Sequence, residues 1–147
     1  MTDTQSTIIL KKDQILFREG AKDSYLYLIQ SGKILIFVNK RTEIIPLAYL
    51  GPGEFLGELS FFDKNPRSAN VIAVEESSLV RIPFAEANKL MPPWMTLVSK
   101  FLISRIRLLD QIIKEKGIKK KNAETIAPLN ISEQTRIFRI LKQDQES

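Results

Sequence analysis

The chain has 147 residues, 44% of them hydrophobic and 27% charged, with a formal net charge of +5 at pH 7 and neither cysteine nor histidine. That length and apolar fraction suit one compact domain with a core and a short appendage. Without thiol or imidazole the chain cannot build a cysteine nucleophile, a disulfide, a zinc site on Cys or His, or imidazole acid–base chemistry.

The basic balance permits contact with nucleic acid without showing it. Met1–Thr7 is polar and lacks a basic segment leading into an apolar run, so no signal peptide is expected. No apolar stretch nears the roughly 20 residues of a membrane helix. The expectation is a cytoplasmic protein without membrane insertion. From Asp13 to Pro83 the texture is β. Gln14–Phe17, Tyr25–Ile29, Lys33–Val38, Ile44–Tyr49, Asn70–Val74 and Ser78–Ile82 are short runs rich in β-branched and aromatic residues. Gly20, Gly32 and Gly51-Pro52-Gly53 punctuate them, and Gln30-Ser31-Gly32-Lys33 reads as a tight hairpin turn. Strands at this spacing predict a sandwich or barrel.

The strands are interrupted by Glu54–Val71, EFLGELSFFDKNPRSANV. Gly57–Phe62 predicts a single helical turn, and Pro66 fixes the approach to Arg67. Gly57 lets backbone N–H groups come close to a ligand. Arg67 offers a planar fork of donors suited to phosphate. An ionised Glu58 accepts hydrogen bonds only, which suits a ligand that also carries hydroxyls. Taken singly, Arg67 reads equally as a surface ion pair, and Glu58 as a first-turn acid favoured by the helix dipole.

With Phe55, Gly57, Glu58, Leu59, Arg67, Ser68 and Ala69 in order, the stretch resembles the phosphate-binding cassette of the cyclic nucleotide-binding domain family, which runs Phe-x-Gly-Glu-Leu, spacer, Arg-(Ala/Ser/Thr)-Ala. Phe17-x-Glu19-Gly20 and Leu26-Tyr27-x-Ile29-x-x-Gly32 resemble the first part of the same family's β-roll. Lys12-Asp13 stands where the family often has a glycine. The resemblance implies a mostly β fold with flanking helices: a double-stranded β-helix (jelly roll, cupin-like) with a long C-terminal helix. It implies binding of a cyclic mononucleotide, cAMP ahead of cGMP, with no cofactor and no catalysis. In that reading Phe55, Leu56, Gly57, Glu58, Leu59, Ser60, Pro66, Arg67, Ser68 and Ala69 form the ligand site. Gly57 and Leu59 offer backbone groups, Glu58 takes the ribose 2′-hydroxyl, and Arg67 grips the cyclic phosphate. Ser68 adds a hydroxyl and a backbone N–H, and Ala69 keeps the backbone close. A cupin-like enzyme on a similar roll would hold its metal with histidines, which are lacking.

Phe84–Leu90 predicts a short helix, and Pro92-Pro93 opens a long one ending near Lys116-Gly117. At about 100° per residue, Leu97, Val98, Phe101, Leu102, Ile106, Leu108, Leu109, Ile112 and Ile113 share one broad arc. Ser99, Lys100, Ser104, Arg107, Asp110, Gln111 and Lys114 lie opposite, with Ile103 an exception. Arg105 falls inside the apolar arc. Two readings stand: it pairs with Glu58, coupling the pocket to the helix as the resemblance suggests, or it reaches solvent with its stem on the core. Val98, Leu102, Arg105, Leu109 and Ile112 follow a 4-3-4-3 spacing, as in a coiled-coil seam. The family commonly dimerises through this helix, and residues near Leu109, Asp110 and Gln111 would then approach the base.

The domain is therefore expected to span residues 1–116, with the β-roll at about 13–83, the cassette at 55–71 and the C-terminal helix at about 92–116. Residues 117–147 would form a basic linker with Lys119-Lys120-Lys121 and a short helical tail. Ile131–Gln143 predicts an amphipathic helix capped by Asn130 or Ser132, whose stripe of Ile137, Phe138, Ile140 and Leu141 needs a surface in this chain or another. The functional expectation is a sensor that signals to a partner protein through its C-terminal helix or tail, as a monomer or homodimer. The alternative is a DNA-binding regulator, since Thr125-Ile126-Ala127 followed by Ser132-x-x-Thr135 and Arg139–Lys142 faintly resembles a helix-turn-helix. Pro128, the spacing and about thirty residues of length weigh against DNA.

Overall fold

The structure is a computed structural model, and it describes residues 5–116 and 127–146. Eight strands form two four-stranded antiparallel sheets. The first, in the order β1-β8-β3-β6, holds Ser6–Leu10, Ser77–Pro83, Tyr25–Ser31 and Phe55–Leu56. The second, β2-β7-β4-β5, holds Ile15–Phe17, Asn70–Ala73, Ile34–Lys40 and Glu43–Leu50. Helices α1 (Glu58–Asp63), α2 (Phe84–Lys89), α3 (Pro93–Lys116) and α4 (Ile131–Glu146) complete the chain. This is the expected jelly roll with flanking helices.

Three details differ from the expectation, one being the short strand β6 at Phe55–Leu56, which pairs with β3. The roll starts at Ser6: β1 pairs with β8 from Ser6↔Arg81 to Leu10↔Ser77. Its burial alternates, with Ile9 exposed and Leu10 buried, as in a strand with one face on the core, but its residues, Ser-Thr-Ile-Ile-Leu, do not alternate in polarity, which concealed it. The turn at Gln30–Lys33 is tight but makes no hairpin, because β3 pairs with β6 and β8 whereas β4 pairs with β5 and β7. It carries the chain from one sheet to the other. Gly32 takes φ 96 there, and a β-carbon on it would collide with Ser77, whose hydroxyl accepts from the Lys33 N–H at 3.1 Å.

The sheets enclose one core of Tyr27, Ile29, Ile34, Leu56, Val71, Ala73 and Leu79. A second apolar cluster lies on the other face of β4 and β7. Leu35, Phe37, Ile44 and Ile72 pack there against Leu129, Ile137 and Leu141. The tail helix α4 is thus seated on its own roll, as an amphipathic helix on an apolar sheet. Asn130 caps it, accepting from the Glu133 N–H at 2.8 Å, while Glu133 accepts from the Asn130 N–H at 3.2 Å. Gln134 accepts from the Ile44 N–H on edge strand β5 at 2.8 Å. Arg136 pairs with Asp13, and Arg18 with Asp144 at 2.8 Å. Asp13 stands at φ 70, so it adopts the glycine-like conformation of that turn and lends α4 a carboxylate as well. The basic stretch with Lys119-Lys120-Lys121 lies outside the described residues. Ile137 is 1% exposed and Phe101 on α3 is 62% exposed. Ile137→Ala should therefore lower stability by about 2–5 kcal/mol, and Phe101→Ala in monomeric protein by no more than about 0.5 kcal/mol. Urea unfolding reads both, and equal losses would contradict this seating of the helices.

Candidate functional site

Gly57 links β6 to α1 at φ 85. A β-carbon there would fall on Arg67 Nη1 and lie 2.9 Å from Arg67 Cζ and 3.1 Å from the Tyr25 carbonyl oxygen. Glycine is therefore required twice, by the backbone sign and by the guanidinium against it. Arg67 itself is 3% exposed. It donates from Nε to Asp23 at 3.0 Å, from Nη2 to Asp23 and to the Tyr25 carbonyl, and from Nη1 to the Gly57 carbonyl at 3.1 Å. Its guanidinium lies 4.4 Å from the centre of the Phe17 ring. Of its five N–H groups, four have acceptors in the protein, leaving one on Nη1 beside Gly57. Asp23 was missed in the sequence, because nothing in a β2–β3 loop distinguishes a carboxylate 44 residues from its arginine.

Around this guanidinium lies a cavity of about 220 Å³ lined by Leu56, Gly57, Glu58, Leu59, Ser60, Arg67, Ser68 and Ala69, which are eight of the expected site residues. Phe17, Ile36, Leu47, Ala48, Val71 and Asp110 complete the lining. Leu47 reaches it through a bulge: Ile36 faces Ala48 and Phe37 faces Pro46, so Leu47 is the extra residue of the edge strand. Pro46, tolerated only at such an edge, was the signal in the sequence. Burial pushes the Glu58 carboxyl up from its ordinary value of 4.5, while its own backbone N–H and the charge of Arg67 pull it back down.

Three expected residues stand elsewhere. Phe55 is exposed beside a neighbouring apolar groove with Phe62 and Leu90. Pro66 borders a separate hollow with Lys64 and Phe84. Arg105 is exposed, its guanidinium 4.8 Å from the Phe101 ring centre, and it does not reach Glu58. Arg107 ties the helix to the cassette instead: it donates from Nε and Nη2 to the Asp63 carboxylate of α1, the latter at 3.0 Å, and from Nη2 to the Pro66 carbonyl at 3.4 Å. Burial would raise the Asp63 carboxyl, but the Arg107 hydrogen bonds and charge, with those of Asn65, hold it below its ordinary 3.8. The reason is helix phase. Residues 105 and 107 are about 200° apart around the axis. The face turned to the roll carries Thr96, Ser99, Ile103, Arg107 and Asp110, with Ile103 buried, so the apparent exception of the sequence pattern is the inward anchor. The broad apolar arc faces outward: Leu97, Val98, Leu102, Leu108 and Leu109 are all exposed.

A buried guanidinium and a carboxylate thus share one small cavity on a glycine turn. The family model described as the cyclic nucleotide-binding domain matches residues 7–92, more than half of the chain. The chain belongs to the cyclic nucleotide-binding domain family. It is 41% identical over 71 residues to the cyclic AMP receptor protein of Thermus thermophilus, covering 46% of this chain and 32% of that protein. It is 27% identical over 118 residues to lysophospholipase nte1 of Aspergillus fumigatus, covering 77% of this chain and 8% of that protein. The chain therefore spans about a third or less of these relatives' length. Among solved structures it resembles the EAL enzyme Bd1971 in its cAMP-bound form, with a TM-score of 0.64 and 34% identity over 76% of this chain and 32% of that one. The cAMP-bound regulatory domain of Toxoplasma gondii PKA shares the fold, with a TM-score of 0.60 and 22% identity over 68% of this chain and 39% of that one. As in that fold, the nucleotide-binding domain has a β-roll and a C-terminal helix.

Two outcomes follow from the cavity. Gly57→Ala should abolish cyclic-nucleotide binding in titration calorimetry, because the methyl group displaces Arg67 Nη1; affinity within twofold of wild type would contradict the close approach. A carboxylate is acceptor-only when ionised, and the raised pKa of Glu58 means that it takes up a proton earlier on acidification than an ordinary glutamate. Affinity should therefore start to fall on acidification at a pH above 4.5, whereas Glu58→Gln should show a flat profile over that range; parallel profiles would remove Glu58 from the ligand site.

Proposed function

We propose that this domain is a sensor of a cyclic purine mononucleotide, with cAMP favoured over cGMP, and that it signals without catalysis of its own. The observation that carries the reading is the remaining Nη1–H of Arg67, held by Asp23 and Gly57 at a cavity that Glu58 also lines. A cation and an acceptor-only carboxylate together suit a ligand with both an anionic phosphate and a hydroxyl. Ser68 and the backbone of Gly57 to Leu59 add donors, and Ala69 leaves room for the phosphate. Asp110 brings α3 to the cavity as a hydrogen-bond acceptor, which fits the donor groups on a purine edge. The lean to cAMP rests on the FLGEL and RSA sequence forms and on relatives named for cAMP. Two relatives are named as enzymes, and this chain covers 8% and 32% of them, in keeping with a regulatory module attached to other activities.

Output would pass through α3 and the tail to a protein partner. The outward apolar arc of α3, with Val98, Leu102, Leu109 and Ile112 in heptad spacing, fits a second copy of the same helix, so a homodimer in the cytoplasm is the working arrangement. The alternative, a DNA-binding regulator with a truncated helix-turn-helix tail, is disfavoured because α4 buries its apolar face on the roll. Among the described residues no helix is long and apolar enough to cross a membrane.

Titration calorimetry with cAMP and cGMP should give tight binding of cAMP. Arg67→Ala, with its fold checked by circular dichroism, should weaken it by about 1.5–3 kcal/mol. No heat from ligand-free wild type with either nucleotide would overturn the reading.

A further inference from the structure

The tail helix and the nucleotide cavity occupy opposite faces of the second sheet, and one loop is bonded to both. Residues 18–24 connect β2 to β3. At one end of this loop Arg18 donates to the Asp144 carboxylate at 2.8 Å and to the Leu141 carbonyl, both on α4. A few residues on, the loop is sewn to the cassette. The Glu19 N–H donates to Asn70 Oδ1 at 2.9 Å, the Gly20 N–H to the Arg67 carbonyl at 2.8 Å, and the Arg67 N–H to the Ala21 carbonyl at 2.9 Å. Asp23 then clamps the Arg67 guanidinium from two atoms. Strand β7 provides a second route. Val71 lines the cavity and the next residue, Ile72, packs under α4 with Ile137 and Leu141. Alternation along a strand makes those two side chains point to opposite faces of one backbone segment.

We propose that α4 is a ligand-responsive latch: occupation of the cavity strengthens the docking of α4, and docked α4 strengthens nucleotide binding. This rests on the sensor reading above and names its output element. An anion accepted by the remaining Nη1–H completes the bonding of Arg67 without displacing Asp23, so the loop is held more firmly from the cassette side. A firmer loop fixes Arg18, and a fixed Arg18 loses less freedom in holding Asp144 and the end of α4. Coupling between two equilibria is reciprocal, so the same factor must appear in both measurements. Neither Ile137 nor Asp144 lines the cavity, and any effect of theirs on nucleotide affinity has to travel through the loop or β7.

The test uses the full chain and cAMP. Calorimetry compares wild type with Asp144→Ala and Ile137→Asp, and amide hydrogen exchange across residues 131–146 is followed with and without saturating cAMP. The expected result is a fall in cAMP affinity of at least about fivefold in both variants, within the range usual for coupled sites, and slower exchange of wild-type α4 amides by a similar factor when cAMP is bound. Should Ile137→Asp fail to fold, Asp144→Ala and the wild-type exchange carry the test. Wild type that binds cAMP with unchanged α4 exchange, together with Asp144→Ala affinity within twofold, overturns the latch alone. Wild type that binds neither cAMP nor cGMP overturns the sensor reading, and the latch with it.

Discussion

A guanidinium removed from water has to be met on all sides by acceptors or π-faces, and that requirement at Arg67 shapes much of this molecule. Asp23 supplies the counter-charge, the Tyr25 and Gly57 carbonyls take further hydrogens, and Phe17 lies against the flat face. Each partner comes from a different segment, so satisfying one side chain fixes the relative placement of the β2–β3 loop, the start of β3, the turn before α1 and the end of β2. The cavity beside Arg67 is the space left once these are in place. Its polarity is therefore set before any ligand arrives, the usual condition for a selective anion site.

The helices divide their chemistry in a way that helical periodicity alone does not disclose. On α3 the face turned to the roll is the mixed one, with Ile103 as its buried anchor and Arg107 held by Asp63 and the Pro66 carbonyl. The oilier face points away from the roll. On α4 the arrangement is the ordinary one, with Ile137 and Leu141 inward. The difference lies in what each helix meets. The six-residue α1 and the loop after it offer α3 the Asp63 carboxylate and the Pro66 carbonyl, whereas the outer surface of β4 and β7 offers α4 Leu35, Phe37 and Ile72.

Six of the eight strands, the four helices and the cassette were legible because their signals are local: β-branched runs between glycines, a double proline before a helix, and Gly57 with Arg67 at a fixed spacing. For the cap of α4 the sequence offered Asn130 or Ser132, and Asn130 takes the role. What escaped was relational. Periodicity located the apolar arc of α3 but carries no information on which face is covered, so Arg105 was weighed as a pairing residue when Arg107 has that role. The seat of α4 left a trace that was overlooked: Ile34–Val38 and Asn70–Ala73 lack the polar alternation of a half-exposed strand, as expected where both faces are buried. Asp13 in place of a glycine was another, since its side chain meets Arg136.

The two-faced burial of β4 and β7 has a consequence for biosynthesis. The roll is complete at Pro83, yet the residues that cover its second apolar face are made later, with Leu141 emerging roughly 60 residues further on, about 3–12 s at ordinary elongation rates. During that interval the nascent chain presents Leu35, Phe37 and Ile72 to solvent on an otherwise finished sheet. Such a surface is what general chaperones bind. A ribosome that stalls between the roll and the tail would release a folded but adhesive product, so covering this face depends on the sixteen-residue helix α4.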